Sequence, residues 1–336
     1  MLRKLASVRK IIDLQPIKKA DLIELAQVDG WRSVVKKGEF SIGDTVVYCE
    51  IDSFLPIKEE FEFLRKSCYK KLPDGQEGFR LKTIRLRGQI SQGLILPMSV
   101  LPEGDYKTGD DVTHLLGVTK FEPPIPQEMI NSVIGAFPSF IKKTEEERIQ
   151  NLENDIEELQ NRTYYVTEKL DGTSMTSFLN SGEFGVCGRN YQYKKDIKNP
   201  LWVIATKLSL EEKMKDLGRN IAIQGELVGP GVSNGNPYKL EESEFHVYNV
   251  FDIDNYGYLS KEECKSLAES LGLKLVPVVS INAFLPDRID EILQLSEGPS
   301  QLNSNVKKEG DVWVSGEGDD RISFKVISNA FLLEEK

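Results

Sequence analysis

The sequence predicts an α+β protein made of an all-β barrel followed by a larger domain of mainly antiparallel sheets with flanking helices. The chain has 336 residues, which is long for one domain and comfortable for two. Over residues 1–125, short β-branched and aromatic runs are separated by turns rich in Gly, Pro and Asp. From residue 164 onward, strand patterns are mixed with amphipathic helical patterns, which is typical of an α+β domain.

Composition excludes several classes of protein. Apolar residues make up 40% of the chain and charged residues 29%, which is ordinary for a soluble globular protein. The chain has no run of about 18 apolar residues and no signal-peptide core near Met1, so we expect an intracellular, cytoplasmic protein. Its four cysteines are widely spaced, which argues against structural zinc and a disulfide framework.

The first 125 residues are typical of a small five-stranded barrel of the OB type. Strand-like runs, such as the one from Thr45 to Ile51, lie between regular turns. Barrels of this type bind nucleic-acid strands and ends through one face and the adjoining loops. We therefore expect residues 1–125 to form a nucleic-acid-binding domain.

A basic strand within this domain is the candidate contact to nucleic acid. Its four cations, which have no acid among them, are Arg80, Lys82, Arg85 and Arg87. The net charge of −10 argues against a protein that simply coats nucleic acid, but a local basic groove is compatible with it. We expect this strand to follow a phosphate backbone, and a solvated strand face is the alternative.

We expect residues 126–163 to be a linker that contains one helix. The proline-rich segment that ends at Pro126 breaks regular structure. A helix is predicted from Thr144 to Arg162, because Thr144 and Glu147 form a capping box ahead of apolar residues at helical spacing.

The candidate chemistry begins in the strand-like stretch from Tyr164 to Thr176. Lys169 and Asp171 are two residues apart, so in an extended segment they share one face. Gly172 follows and permits a close approach to the backbone. An ammonium and a carboxylate in this arrangement suit covalent catalysis by lysine, whereas a solvated ion pair is the alternative.

Lys169, Asp171 and Gly172 form a Lys-x-Asp-Gly pattern that resembles the nucleotidyl-acceptor motif of polynucleotide ligases and RNA capping enzymes. Further residues occur in the order and contexts of the remaining motifs of that superfamily. They are Arg189, Glu226, Phe251, Glu309 and Lys325. The segments 43–52 and 84–94 resemble the OB module of the ATP-dependent RNA ligases of the Naegleria and Deinococcus type. The resemblance covers nearly the whole chain and implies that residues 164–336 are a nucleotidyltransferase domain.

The resemblance implies an RNA ligase that uses ATP with Mg²⁺ or Mn²⁺ and forms a lysyl-AMP intermediate. The implied substrate is RNA with 3′-OH and 5′-phosphate ends, in a nicked duplex, and the implied enzyme is a monomer. The implied catalytic residues are Lys169, Asp171, Arg189, Glu226, Glu309 and Lys325. The implied nucleotide-binding residues are Glu168, Lys169, Leu170, Gly172, Arg189, Glu226, Phe251 and Lys325. The implied metal residues, acting through water, are Asp171, Glu226 and Glu309.

Two departures and two alternatives stay open at this point. Ser323 stands where many family members have the first lysine of a Lys-x-Lys pattern. Lys307 and Lys308 precede Glu309 and are expected either to reach phosphates or to lie on the surface. A DNA ligase or a capping-type nucleotidyltransferase is the alternative enzyme, and an RNA-end-binding protein without catalysis is the alternative from another class.

Overall fold

The structure, a computed structural model, describes residues 4–18, 20–72, 75–121, 132–232 and 235–334. The chain forms two compact units. The first contains Met1–Pro126 and Ile149–Ile156, and the second contains Gln127–Arg148 and Glu157–Lys336. The proline-rich segment that was predicted to end the first domain lies, apart from Phe121, outside the described residues.

The first unit is built from short antiparallel strands. The strands are β1 (Ala6–Lys10), β2 (Asp13–Pro16), β3 (Ile23–Val28), β4 (Trp31–Lys36), β5 (Thr45–Cys49), β6 (Ser53–Pro56), β7 (Tyr69–Lys71), β8 (Glu77–Arg80), β9 (Ile84–Leu86), β10 (Gln89–Ser91), β11 (Leu94–Pro97) and β12 (Thr119–Lys120). They form sheets with the orders β1-β5-β11, β2-β3-β4 and β12-β6-β8-β7, and β9 and β10 form a hairpin. Two short helices, α1 (Arg65–Cys68) and α2 (Thr113–Leu116), accompany them.

Alternation of side chains explains how these strands enclose a core. Along β4, Trp31, Ser33 and Val35 are buried while the residues between them are more exposed, as expected for a strand with one buried face. Leu55 and Phe79, which pair across β6 and β8, are fully buried in the same unit. The predicted all-β character of this part of the chain is confirmed.

The second unit contains two larger sheets. Their strands are β13 (Val133–Ala136), β14 (Glu147–Arg148), β15 (Tyr164–Lys169), β16 (Thr173–Asn180), β17 (Glu183–Cys187), β18 (Tyr191–Tyr193), β19 (Ile221–Val228), β20 (Glu244–Asp252), β21 (Gly257–Tyr258), β22 (Lys274–Leu275), β23 (Val278–Ala283), β24 (Gly310–Ser315) and β25 (Ile322–Ile327). One sheet has the order β13-β18-β17-β16-β19-β20-β21 with β22 paired to β20, and the other has the order β14-β25-β24-β15-β23. Most pairings are antiparallel, and the described exceptions are β14 with β25 and β20 with β22.

Helices pack on these sheets at positions set by local signals. They are α3 (Ile156–Leu159), α4 (Pro200–Lys207), α5 (Leu210–Leu217), α6 (Lys261–Ser270), α7 (Ile289–Leu295) and α8 (Asn329–Glu334). Helix α4 begins after Asn199, whose side chain accepts from the backbone of Leu201. Helix α6 begins with a capping box in which Ser260 and Glu263 satisfy each other's backbone N–H groups. None of the helices in the described part of the chain has the length and apolar content needed to cross a membrane.

The prediction of a helix from Thr144 to Arg162 is wrong. Glu147 and Arg148 form β14, which pairs in parallel with β25. A 3-10 segment follows at Ile149–Asp155, in which Leu152 has non-helical angles, and only the four residues of α3 are α-helical. Backbone pairing with a neighbouring strand therefore replaces the helix that the local pattern favours.

Residues 149–156 belong to the first unit because their backbone and side chains bond there. The backbone N–H of Gly30 donates to the carbonyl of Gln150 at 3.1 Å. Asn151 accepts from the indole N–H of Trp31 and donates to Glu50, which is buried. The predicted linker is thus divided between the two units.

Candidate active site

A cavity of about 430 Å³ in the second unit is lined by strands of both of its sheets. Strands β15, β24 and β25 contribute from the smaller sheet, and β16, β19 and β20 from the larger one. Nine of the sequence-predicted site residues line it. They are Glu168, Lys169, Leu170, Asp171, Gly172, Arg189, Glu226, Glu309 and Lys325. The tenth, Phe251, does not.

Strand β15 places Lys169 at the cavity. Its register with β24 puts Lys169 opposite Gly310, the residue after Glu309. A Cβ atom on Gly310 would lie 2.1 Å from the carbonyl oxygen of Val326, so only glycine allows β24 to approach β25 this closely. Glu309 is thereby brought beside Lys169.

Gly172 serves the packing of the sheet. A Cβ atom there would lie 2.4 Å from the carbonyl oxygen of Leu227, on the neighbouring strand β19. The glycine therefore permits close approach of two strands next to the lysine, in addition to lining the cavity.

Lys169 is held by carboxylates. Its Nζ lies 2.6 Å from Oε1 of Glu309. Burial acts to lower the pKa of Lys169, but the charges of Glu309, Glu226 and Asp171 outweigh it and raise the pKa above its ordinary value. The amine is therefore protonated at neutral pH.

Glu226 lies on β19 opposite Ser174 and lines the same cavity. Burial raises the pKa of Glu226 to about 8, with Lys169 opposing and Glu309 and Asp171 reinforcing the change. A carboxyl group with this pKa is typical of a functional site, because structural carboxylates on a surface stay near their ordinary values.

This pKa predicts a pH dependence of stability. Above about pH 4.5, the ordinary value, the unfolded chain releases a proton that folded Glu226 retains up to about pH 8. The contribution of this group to stability therefore falls as the pH rises through that window. With a chelator present, we expect the melting temperature of Glu226→Gln minus that of the wild type to increase from pH 5 to pH 8. The exposed Glu212→Gln is the control, and a parallel pH course for both variants would contradict the assignment.

The carboxylates of the cavity fit a hydrated divalent cation. Asp171, Glu226 and Glu309 offer the hard oxygen donors that Mg²⁺ and Mn²⁺ prefer. Within the residues that the structure describes, no three acidic, histidine or cysteine side chains are arranged to bind a metal directly.

Glu168 and Leu170 flank the lysine and form another part of the wall. Glu168 is 1% exposed, and its Oε2 accepts from the backbone N–H of Gln301 at 2.8 Å. Its Oε1 is buried and has no hydrogen-bond partner among the described residues. Leu170 is buried against Val228 and Tyr238, and the Tyr238 hydroxyl accepts from the backbone N–H of Asp171. The strand end is thus fixed on both sides of Lys169.

The structure does not bring Phe251, one of the implied nucleotide-binding residues, to the cavity. The ring is fully buried and packs with Phe178 and Ala222 in a core cluster. The aromatic side chains that line the cavity are instead Phe137 and Tyr248. The sequence context around Phe251 matches the motif, but tertiary packing covers this ring.

Arg189 and Lys325 are predicted cationic site residues that line the cavity. Arg189 forms a 3.3 Å ion pair with Glu145, and its side chain is 53% exposed. Lys325 lies on β25 opposite Val312 of β24. Ser323, two residues before Lys325, donates to Glu146 and accepts from Arg321. Ser323, which departs from the family pattern, therefore links Arg321 to Glu146 through two hydrogen bonds.

Three basic residues of the cavity were missed from the sequence. They are Lys143, Lys261 and Arg321. Nζ of Lys261 donates to the carbonyl of Tyr248 and to Oδ1 of Asn249, each at 2.9 Å, and burial lowers the pKa of Lys261 to about 8. Lys261 opens a helix with an ordinary capping signal, so the sequence gives no sign that it faces a cavity.

Two family profiles match separate parts of the chain. A family profile described as an OB-fold domain matches residues 5–98, and one described as RNA ligase matches residues 162–327. No curated protein matches the chain significantly.

Solved structures of Naegleria gruberi RNA ligase are similar to the whole chain. A ligand-free variant is 43% identical and covers 98% of this chain and 97% of its own, with a TM-score of 0.91. A variant with ATP and manganese is 42% identical over 98% and 97% of the two chains, with a TM-score of 0.89. A variant with AMP and manganese is 42% identical over 98% of each, with a TM-score of 0.91. These matches confirm the predicted fold, an OB-fold domain followed by a ligase domain, and the chain belongs to the RNA ligase family.

Proposed function

We propose that this protein is an ATP-dependent RNA ligase that joins 3′-OH and 5′-phosphate RNA ends through a lysyl-AMP intermediate, in the repair of nicked RNA. The observation that carries the proposal is the placement of Lys169 in a cavity with its Nζ 2.6 Å from Glu309 and with Glu226 and Asp171 close enough to raise its pKa. A solvated surface pair would not have this cluster of carboxylates around it.

The first step transfers AMP to Lys169. The neutral amine attacks the α-phosphorus of ATP, a nitrogen–phosphorus bond forms, and the bond to the leaving pyrophosphate breaks. Arg189 and Lys325 offset the charge of the phosphates. Asp171, Glu226 and Glu309 hold a hydrated divalent cation, which supplies charge neutralisation and favours loss of the lysine proton.

The nucleotide base is assigned to the wall near Glu168. The unpartnered carboxylate oxygen of Glu168 suits a hydrogen-bond donor such as the amino group of adenine, and guanine has an acceptor at the equivalent position. Leu170 and Gly172 border the same region, and Tyr248 offers an aromatic side chain. This arrangement favours ATP over GTP.

Two further steps use the RNA ends. AMP passes from Lys169 to the 5′-phosphate of RNA, and the phosphorus–nitrogen bond breaks. The 3′-OH then attacks this activated phosphate, the new phosphodiester forms, and AMP leaves. Because these steps consume ATP and need only one chain to line the cavity, we also propose an intracellular location and a monomeric enzyme.

The first unit is proposed to hold the RNA. Arg85 and Arg87 are exposed on and beside the β9–β10 hairpin, and Arg87 and Gly88 have positive φ angles that form its tight turn. Arg80 instead stacks on the ring of Phe121 at 4.3 Å. The hairpin is therefore the part of the predicted basic strand that is best placed to meet phosphates.

Removing the hairpin charges is expected to impair joining while leaving adenylylation intact. The Arg85→Ala/Arg87→Ala variant should join nicked RNA about 10-fold more slowly near physiological salt, because two phosphate contacts are lost. The salt dependence of RNA binding should weaken by up to about two units of log–log slope. The control is Lys36→Ala/Lys37→Ala, which removes two exposed charges elsewhere in the same unit. Equal joining by both variants would refute an RNA-contacting role for the hairpin.

The proposed function is tested by incubating the protein with ATP labelled in the α-phosphate and Mg²⁺, followed by denaturing electrophoresis. The labelled protein is then mixed with duplexes carrying one nick, with either RNA or DNA at the 3′-OH end. Covalent label that passes to RNA and is released on joining supports the proposal. Labelling by GTP instead supports a capping-type enzyme, and joining only of DNA supports a DNA ligase. If folded protein that carries no AMP acquires no label, the result supports an RNA-end-binding protein without catalysis.

A further inference from the structure

Lys308 and Asp311 form an internal ion pair next to the proposed metal-binding glutamate. Nζ of Lys308 lies 2.8 Å from each carboxylate oxygen of Asp311. The two side chains are only 8% and 2% exposed, and neither lines the cavity. Lys308 is therefore placed where it touches neither phosphates nor RNA, and its partner is a residue on the other side of Glu309.

The backbone around Glu309 is held at several points. The N–H of Lys308 donates to the carbonyl of Gly298, and the carbonyl of Glu309 accepts from the N–H of Ser328. Gly310 is pressed against Val326, where no Cβ would fit. The ion pair joins the residues on both sides of this segment.

Stability alone does not account for a buried pair of this kind. Apolar side chains of similar volume often stabilise a fold as well as a buried ion pair does, because both charges lose their hydration. The neighbouring Lys307 is exposed and pairs with Glu334 on the surface. Two adjacent lysines thus differ completely in environment, and only the buried one bridges the segment that carries Glu309.

We propose that Lys308 is a positioning residue that, through Asp311, aims the Glu309 carboxylate at Lys169 and at the hydrated cation. The inference rests on the proposed lysyl-AMP function. Residues behind a metal site commonly orient the groups that meet the metal or its waters, and their loss typically lowers metal affinity or activity by about 10–100-fold.

The test compares Lys308→Met with Lys307→Met, which removes a lysine at the adjacent surface position. Both are checked for folding by circular dichroism and thermal melting. We expect Lys308→Met to form enzyme-AMP about 10–100-fold more slowly at limiting Mg²⁺, with the deficit narrowing as Mg²⁺ is raised. Lys307→Met should match the wild type.

A double-mutant cycle separates positioning from a general structural effect. In a Glu309→Ala background, Lys308→Met should lower the rate of enzyme-AMP formation by less than about 2-fold, because the group it aims is already absent. If Lys308→Met fails to fold, Lys308→Met/Asp311→Leu, which leaves no unpaired charge, replaces it in the same cycle.

Losses that multiply in the Glu309→Ala background would overturn the inference, as would a folded Lys308→Met enzyme with the wild-type rate and Mg²⁺ requirement. Either result leaves the proposed function standing as long as the wild type forms enzyme-AMP. Failure of the wild type itself to form enzyme-AMP would instead refute the proposed function.

Discussion

Lys169→Ala is expected to abolish formation of enzyme-AMP, with a loss of more than about 1000-fold, because no other group in the cavity is placed to form the same bond. Lys169 ends β15 beside Glu309, and the charges of Glu226 and Asp171 also act on it. The measurement is the labelled protein band after incubation with α-labelled ATP and Mg²⁺.

Lys261 provides a demanding control for this result. It lines the same cavity, and with a pKa of about 8 it is the better nucleophile of the two on acidity alone. Nζ of Lys261 donates hydrogen bonds to Tyr248 and Asn249, whereas Nζ of Lys169 pairs with Glu309. We therefore expect Lys261→Ala to retain covalent labelling. Label mapped to Lys261 in the wild type would contradict the assignment of Lys169.

The second large effect is expected for Glu309→Ala, which should lower the rate of enzyme-AMP formation by about 100-fold and raise the Mg²⁺ requirement. Two consequences of the change oppose each other. Loss of the carboxylate weakens cation binding, but it also removes the nearest charge that raises the pKa of Lys169. The first dominates the rate, since the cation also stabilises the transition state.

The second consequence is visible in the pH profile. Because the pKa of Lys169 falls when Glu309 is removed, the rise of rate with pH should shift to lower pH in Glu309→Ala than in the wild type. Exposed Glu317→Ala serves as the control and should change neither the rate nor the profile. A Glu309→Ala enzyme with wild-type Mg²⁺ dependence would remove Glu309 from the metal site.

Local patterns in the sequence predicted the strands, and the resemblance to the ligase motifs identified most of the predicted residues that line the cavity. The run before Lys169 is β-branched and aromatic, and it forms β15. Glu226, Glu309 and Lys325 lie in separate strand-like segments, and antiparallel pairing brings those segments to one cavity. Residues that are far apart in the chain were identified because each carries its own recognisable context.

The errors arose where tertiary contacts override local preference. The apolar spacing after Thr144 is helical, but Glu147 and Arg148 pair with β25 instead. Phe251 has the expected context, yet other side chains cover its ring. The burial of Lys308 is set by Asp311 and by the surrounding sheet, so a pair of adjacent lysines carries no local sign of it.

The return of residues 149–156 to the first unit has a consequence for folding during synthesis. When residue 126 has emerged, buried Glu50 and the indole of Trp31 still lack Asn151, and Gly30 lacks the carbonyl of Gln150. The first unit therefore acquires its last hydrogen-bond partners only after residues 127–148, which belong to the second unit, have been translated. Although domains generally fold in order from the N-terminus, completion of the first one here waits for the start of the next.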